Sequence, residues 1–302
     1  MPGSSTSSTV IHGCTRRTGA PASRGISCDA PSEAKVSEAR AGVSHPPSDQ
    51  ARQWRCRVTL EIEGVPPQEV PPRETVPENG AALDARPPKV FRLPGVYRPQ
   101  EDSMLLAREY LRSGLAGRGA VLDACCGTGY LALTAARSGC PSVTAVDSSV
   151  RAVLSARINA ALLKARVDVL HSDLATLVGA RSFDTILTNP PYVPWRASDS
   201  ARPCPNWDAG ANGRSVIDVL CLAADRLLRP GGSMLMVHSG ISGVEETLSL
   251  LRSNGLVASV VARQGIPFGP VMRQRRNALV KAGYLSPSQV LEEIVVVRAD
   301  KR

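Results

Sequence analysis

Four consecutive residues, Asn189, Pro190, Pro191 and Tyr192, have the types needed to present a weakly nucleophilic nitrogen for reaction. A planar amide or aryl amine is a poor nucleophile because its lone pair is delocalised. The Asn189 side-chain oxygen and the Pro190 carbonyl can each accept one N–H, which fixes the amine and directs its lone pair. The prolines stiffen the turn and donate no competing N–H, and Tyr192 can pack against a flat target group. The motif therefore predicts group transfer to a planar nitrogen, driven by positioning and fixed dipoles rather than by a general base.

A second candidate site is a glycine-rich turn that follows the apolar strand pattern 120–124 and begins a helix. It consists of Cys126, Gly127, Thr128 and Gly129. Glycine is needed where the backbone approaches a ligand closely or takes a positive φ. Asp147 ends the next predicted strand, 20 residues after Gly127, where an acid can accept both hydroxyl protons of a ribose. The turn and the acid together indicate a nucleoside pocket.

Two further acids bear on which nucleoside this pocket takes. Asp173, with Leu174 after it, follows the third predicted strand, where a carboxylate can accept a hydrogen bond from an adenine amine. The glycine spacing, with Ala132 at the third small position, also fits a dinucleotide fingerprint and leaves NAD open. Asp123 lies just before the glycines, where it would repel a pyrophosphate but suit the ammonium group of a methionine. The pattern therefore favours S-adenosylmethionine over NAD as the cofactor.

Length, charge and cysteine content exclude several classes of protein. The chain has 302 residues and a formal net charge of +9, and no run approaches the roughly 18 apolar residues that span a membrane. Its eight cysteines form no Cys-x-x-Cys pair, which disfavours a disulfide scaffold and a metal site and favours a reduced, cytoplasmic chain. The excess of basic residues suits RNA or another acidic partner, or solubility alone.

The composition of the chain changes near residue 87. Residues 1–86 hold 10 of the 24 prolines beside Ser-rich clusters, and their one strand-like stretch, 57–63, has no neighbour with which to pair. We therefore predict a disordered, Pro/Ser-rich N-terminal extension over residues 1–86. From 87 to 302, strand and helix patterns alternate, which predicts one α/β domain with a mostly parallel sheet and helices on both faces. Ligands of such sheets bind at the carboxyl ends of the strands.

The hydrophobic periodicity predicts individual elements of this domain. The predicted strands cover 120–124, 142–146, 166–170, 183–187, 233–238, 257–262 and 292–298. The predicted helices cover 103–113, 130–138, 150–163, 215–228 and 244–253. Ser103 is the candidate cap of the first helix, 189–213 is a long loop, and 267–270 is a rigid turn near the sheet edge. The basic cluster 273–276 is either a solvated helix face or a phosphate-binding surface.

These motifs resemble the HemK/PrmC group of class I, Rossmann-like methyltransferases over about residues 90–299. The matching residues are Asp123, Cys126, Gly127, Thr128, Gly129, Asp147, Asn189, Pro190, Pro191 and Tyr192. That group methylates the side-chain amide nitrogen of a glutamine in the Gly-Gly-Gln loop of translation release factors. The stretch 95–103 resembles the short HemK branch, where it borders the methionine end of the cofactor. The stretch 207–214 resembles the glycine-rich segment that follows Asn-Pro-Pro-Tyr there.

The resemblance implies roles for individual residues. It implies S-adenosylmethionine contacts from Glu101, Asp102, Asp123, Cys126, Gly127, Thr128, Gly129, Asp147, Asp173, Leu174 and Asn189. It implies that 189–192 hold the amide of a protein substrate, a release factor. Bacterial members carry an N-terminal helical bundle, whose pattern is absent from 1–86. The chain is therefore more similar to the short branch, whose eukaryotic and archaeal members work with a small partner subunit.

Other acceptors and one other class of protein stay open. Exocyclic base amines pose the same lone-pair problem, so RNA is an alternative acceptor. DNA is a weaker one, because a DNA enzyme must extrude its base and needs additional recognition surface. A small-molecule amine is a third alternative. A non-catalytic subunit that keeps only the fold is disfavoured, because it would have no chemical need for both sets of motifs.

Overall fold

A computed structural model of the chain describes residues 88–196, 204 and 206–302. The disordered extension predicted for 1–86 lies outside these residues, as does the middle of the predicted loop 189–213. None of the helices in the described part of the chain has the length and apolar character that a membrane crossing requires.

Seven strands form a single sheet. They are β1 (Ala120–Ala124), β2 (Ser142–Asp147), β3 (Asp168–His171), β4 (Phe183–Thr188), β5 (Leu228–Ser239), β6 (Val257–Pro267) and β7 (Leu291–Asp300). Their order is β3-β2-β1-β4-β5-β7-β6. Strands β1 to β5 pair in parallel, and β7 lies antiparallel between β5 and β6. The predicted Rossmann-like, mostly parallel seven-stranded sheet is confirmed.

The helices connect these strands. They are α1 (Glu101–Arg112), α2 (Tyr130–Arg137), α3 (Val150–Leu162), α4 (Ser215–Leu227), α5 (Val244–Ser253) and α6 (Pro270–Lys281), with short 3-10 turns at Leu174–Leu177 and Gly240–Ser242. The first five match the predicted helices to within two residues at each end. Helix α6 is absent from the helices predicted by periodicity, and 267–270 is assigned only to a turn, although one interpretation of the basic cluster 273–276 is a solvated helix face. Pro270 occupies the first turn of α6, where its missing N–H has no intrahelical partner to lose.

Both faces of the sheet are covered because adjacent residues of a strand point to opposite sides. In β1, Val121 packs with α1, α2 and α3 on one face, and Leu122 packs with α4 and α5 on the other. Both side chains are fully buried. A ligand therefore reaches this sheet at its edge, where the parallel strands end.

The antiparallel strands are longer than predicted because their pairing continues to that same edge. Pro267, at the end of β6, pairs with Leu291 at the start of β7. Since β5 and β6 are both antiparallel to β7, β6 runs in the same direction as β5. The turn after β6 and the beginning of β7 therefore lie on the side where β1 to β5 end.

Candidate active site

The glycine-rich turn lies between β1 and α2. The Cys126 N–H donates to the Val146 carbonyl at 3.0 Å, and the Gly129 N–H donates to the Cys126 carbonyl at 2.7 Å. A Cβ at Gly127 (φ +54°) would meet no atom within 4 Å, whereas one at Gly129 (φ +78°) would lie 3.1 Å from Ala156 Cβ. Gly127 therefore leaves open space beside the backbone, and Gly129 allows α3 to pack closely.

Two carboxylates flank this turn. Asp147 accepts the Gly127 N–H through Oδ2 at 2.9 Å and the Ser149 N–H through Oδ1 at 2.8 Å. Asp123 is fully buried, and its Oδ2 accepts the Ala132 N–H at 2.8 Å. Its Oδ1 has no hydrogen-bond partner among the described residues. Burial raises the pKa of Asp123 to about 8, against the opposing effect of the Ala132 N–H. Asp123 therefore offers one buried, unused acceptor oxygen.

The Cys125 thiol follows β1 and is within range of the charges of three predicted acids. Its pKa is raised by burial first and then by the charges of Asp147, Asp123 and Asp173. Asp173 is exposed after β3, and its Oδ1 accepts the Ala175 N–H at 3.1 Å. The structure thus brings the three carboxylates to the ends of three adjacent strands. Within the described residues, no three His, Cys, Asp or Glu side chains are grouped so as to hold a metal ion.

The other predicted cofactor residues differ in exposure. Cys126 and Thr128 are buried in the glycine-rich turn. Leu174 is half-buried at the start of the 3-10 turn after β3, and Glu101 is exposed at the first position of α1. Their contacts with a cofactor stay predictions.

The side-chain amide of Asn189 is oriented by α1. Its Nδ2 donates to Ser103 Oγ at 3.0 Å, and Ser103 Oγ donates to Asp102 Oδ1 at 3.2 Å. Because the serine proton goes to Asp102, the serine oxygen can only accept from Asn189. This chain of hydrogen bonds determines which end of the amide faces α1, and it leaves Asn189 Oδ1 as an acceptor for another N–H.

Asp102 joins the start of α1 to the Asn-Pro-Pro-Tyr segment. It is buried, and its Oδ2 accepts hydrogen bonds from the hydroxyls of Tyr97, at 2.8 Å, and Tyr192, at 3.1 Å. Gln100 Nε2 donates to the Tyr97 hydroxyl at 3.0 Å. Burial, and then the charge of Asp102, hold the pKa of Tyr192 well above its usual range. The Tyr192 hydroxyl therefore anchors the segment as a protonated donor, a role in addition to the predicted ring contact.

Ser103 was predicted to cap the first helix, and that assignment is wrong. The helix begins at Glu101, with Gln100 as its N-cap residue. Glu101 and Asp102 give the first turn the acidic character that favours an earlier start. Ser103 therefore lies inside the first turn, buried, where its hydroxyl reaches Asn189.

The segment after Tyr192 runs beside the predicted glycine-rich loop. The Val193 N–H donates to the Trp207 carbonyl at 2.7 Å, and the Ala209 N–H donates to the Val193 carbonyl at 3.0 Å. Gly213 has φ +74°, and a Cβ there would overlap the Tyr192 carbonyl oxygen. Only glycine allows so close an approach, which explains why the 207–214 stretch contains it.

A buried ion pair holds this loop against α6. Arg275 donates from Nη1 and Nη2 to the two carboxylate oxygens of Asp208, and their side chains are only 8% and 5% exposed. Asp208 Oδ2 also accepts the Cys204 N–H at 2.6 Å. The basic residues of the cluster 273–276 therefore have different environments. Arg275 anchors the loop from within, while Arg273 is exposed and Arg276 is partly exposed.

Glu292, at the start of β7, is a further buried acid near the site and has no distinguishing signal in the sequence. Its Oε1 lacks a hydrogen-bond partner among the described residues. Burial raises its pKa to about 7, with a smaller contribution from Asp102. The neighbouring Glu293 is exposed and pairs with Arg263 at 3.0 Å. The alternation of side chains along a strand therefore separates these two adjacent acids.

Comparison of the sequence with known proteins identifies the family of this chain. The sequence matches the methyltransferase small domain family over residues 89–265. It is 32% identical over 181 residues to a protein of Methanocaldococcus jannaschii named for protein N5-glutamine methyltransferase activity, with 59% of this chain and 90% of that protein aligned. It is 31% identical over 170 residues to a release factor glutamine methyltransferase of Geobacter sulfurreducens, with 54% and 59% aligned. The chain thus spans less than two thirds of that bacterial relative.

One similar solved structure is the Mtq2–Trm112 complex of E. cuniculi, described as responsible for methylation of the eRF1 translation termination factor. It is 21% identical, covers 69% of this chain and 99% of that chain, and has a TM-score of 0.49. The family match and the archaeal relative confirm the resemblance inferred from the motifs. The chain belongs to the methyltransferase small domain family and, within it, to the HemK/PrmC group of methyltransferases.

Proposed function

We propose that the chain uses S-adenosylmethionine to methylate a planar amide nitrogen, the side chain of a glutamine in a translation release factor. The observation that carries this proposal is the oriented amide of Asn189. Its Nδ2 is occupied by Ser103, so its Oδ1 accepts an N–H of the substrate. The carbonyl of Pro190, the next residue, supplies the second acceptor.

The residues of the pocket fit the proposed cofactor. Asp123 Oδ1 is a buried acceptor without a partner among the described residues, and an ammonium group would supply the missing donor. The open space at Gly127 lets a ligand lie against the backbone. Asp147 and Asp173 retain acceptor capacity for ribose hydroxyls and for an adenine amine. When bound, S-adenosylmethionine supplies an electrophilic methyl group.

The chain contributes alignment rather than acid–base chemistry. Asn189 and Pro190 hold the two N–H bonds of the amide, so the nitrogen lone pair points toward the methyl carbon. The nitrogen loses its extra proton after the transfer, so no base is required beforehand. Ser103 and Asp102 keep Asn189 in place before the substrate arrives, and dipoles oriented in advance need no reorganisation during the reaction.

The names of the relatives support glutamine as the acceptor. Both the archaeal and the bacterial protein are named for methylation of glutamine. RNA is the second candidate, because residues 91–302 hold 25 basic and 17 acidic residues and a base amine would need the same two acceptors. A small-molecule amine is the third.

The direct test is methyl transfer from labelled S-adenosylmethionine to a release factor containing Gly-Gly-Gln and, in parallel, to total RNA. We expect label on the release factor, and we expect it to be lost when that glutamine is replaced by alanine. Label on RNA alone would overturn the glutamine assignment and keep the pocket and mechanism. Binding of cofactor without label on either acceptor would favour a small-molecule amine or the need for a partner.

Two further expectations belong to this proposal. The resemblance to the short HemK branch predicts a small activating subunit, and adding such a subunit to the assay should then increase turnover. The cytoplasmic location expected from the cysteine pattern also stays a prediction.

A further inference from the structure

A cleft of about 320 Å³ lies beside the active site, between α6 and the turn that precedes β7. It is lined by Pro267, Phe268, Arg273, Arg276, Gln289 and Val290. Pro267 ends β6 and pairs with the first residue of β7. The cleft therefore lies on the side of the sheet where the parallel strands end, the side that carries the Asn-Pro-Pro-Tyr segment.

One wall of the cleft is shared with the active site. Phe268 is buried and packs in one cluster with Tyr192, Val193 and Met272. A polypeptide whose reactive side chain is held next to Tyr192 would therefore pass close to this cleft.

The cleft is positively charged without internal compensation. Residues 266–291 include four basic residues and no Asp or Glu. Of the four, Arg275 is neutralised by Asp208. No carboxylate of the described residues forms an ion pair with Arg273 or Arg276. Both guanidinium groups are instead held by backbone carbonyls, Arg273 by that of Phe268 at 2.6 Å and Arg276 by that of Pro287, and each retains N–H donors.

The apolar part of the cleft decides between two kinds of acidic partner. Val290 lines the cleft and is 72% exposed, and the next residue in the chain, Leu291, is 47% exposed at the start of β7. Single-stranded RNA is bound by stacking on exposed aromatic side chains, and the aromatic residue of this cleft, Phe268, is 6% exposed. Exposed aliphatic side chains beside two cations are complementary to a polypeptide that combines acidic and apolar residues.

We infer that the cleft binds an acidic, partly apolar segment of the protein acceptor, near the residue that is methylated. This inference rests on the proposed function, because it takes the methyl acceptor to be a protein. Arg273 and Arg276 would bind carboxylates, and Val290 would contact an apolar residue between them.

Direct binding tests the inference without requiring turnover. The probe is a labelled ten-residue peptide of alternating glutamate and leucine, compared with the same peptide carrying glutamine in place of glutamate. We expect the wild-type chain to prefer the glutamate peptide, and Arg273→Gln/Arg276→Gln to weaken that binding about tenfold at low salt. Arg273→Lys/Arg276→Lys should retain most of the affinity. The matched control, Arg137→Gln, removes an exposed charge at the end of α2 and should have no effect.

The outcomes separate this inference from the proposed function. Equal binding of the two peptides, or unchanged binding to the double Gln variant, would overturn the cleft assignment even if a release factor is methylated. If polyuridylate binds more tightly than the glutamate peptide, and the double Gln variant loses that binding, the cleft would be assigned to RNA instead of an acidic polypeptide. If the release factor is methylated, the double Gln variant should raise its KM about tenfold and leave kcat within twofold. Thermal unfolding of each variant shows whether a loss reflects the cleft or the fold.

Discussion

Ser103 and Asn189 lie 86 residues apart in the chain, yet the serine oxygen accepts the Asn189 Nδ2 hydrogen at 3.0 Å. That contact sets the direction of the amide at the reacting site. Ser103→Ala should let the amide rotate, so that its oxygen faces the substrate only part of the time. We expect a fall in kcat of about fivefold, the effect of losing one orienting hydrogen bond of about 1 kcal/mol, with cofactor affinity within twofold.

Two measurements separate this positioning role from a general loss of stability. In the first, Ser113→Ala removes a hydroxyl at the other end of α1 that bonds only backbone groups, and it should leave kcat unchanged. In the second, Ser103→Ala combined with Asn189→Ala should be no slower than Asn189→Ala alone. Additive losses in the double variant would show that Ser103 acts independently of Asn189.

Asp123 makes the stability of the cofactor-free chain depend on pH. Its pKa rises from the model-compound value of 3.8 to about 8 on folding. The folded chain therefore keeps a proton that the unfolded chain has lost, and the free energy of unfolding falls as pH rises from about 4 to about 8. Asp123→Asn cannot ionise, so its free energy of unfolding relative to that of wild type should increase between pH 5 and pH 9, by on the order of a few kcal/mol. Chemical denaturation at the two pH values measures this difference. If the variant and wild type differ by the same free energy of unfolding at both pH values, the result would contradict the burial of an ionisable Asp123.

Gly213 and Gly210 form a matched pair for testing the contact with the Asn-Pro-Pro-Tyr segment. Their φ angles are +74° and +75°, but a Cβ at Gly213 would overlap the Tyr192 carbonyl oxygen, and one at Gly210 would lie 3.6 Å from Ser215 Cβ. Gly210→Ala should lose about 1 kcal/mol from its backbone conformation alone. Gly213→Ala should lose about 1–3 kcal/mol more and slow methyl transfer as Tyr192 shifts. Denaturant unfolding and kcat should both show a larger loss for Gly213→Ala than for Gly210→Ala. Equal losses in the two variants would mean that Gly213 is not in close contact with Tyr192.

The buried pair Arg275–Asp208 should matter more for stability than the exposed pair Arg263–Glu293. Side-chain exposures are 8% and 5% in the first pair and 47% and 51% in the second. Arg275→Met leaves a buried carboxylate unpaired and should lower the free energy of unfolding by about 3–5 kcal/mol. Arg263→Met should lower it by less than about 1 kcal/mol. Comparable losses in the two variants would show that Asp208 is hydrated rather than buried.

The parts of the site that follow from sequence are those placed by local pattern. Asp123, Asp147 and Asp173 come at or after the ends of strands that periodicity identifies, and parallel strands bring their ends together. The parts that do not follow are long-range contacts. Arg275 and Asp208 are 67 residues apart. Each lies in a stretch that the sequence distinguishes, 273–276 and 207–214, but no local pattern indicates that the two residues pair. Helix α6 escapes prediction because its buried positions include Arg275, a charge that interrupts the apolar period.

The central claim is that Asn189 aligns the acceptor nitrogen. Its most direct test is the single-turnover rate of methyl transfer to the release factor by Asn189→Ala, with cofactor affinity measured on the same preparation and Asn277→Ala, an exposed asparagine of α6, as the control. We expect cofactor affinity within a few-fold of wild type and a rate lowered by about 10² or more, since one aligned acceptor contributes a few kcal/mol. A rate within twofold of wild type would contradict the claim.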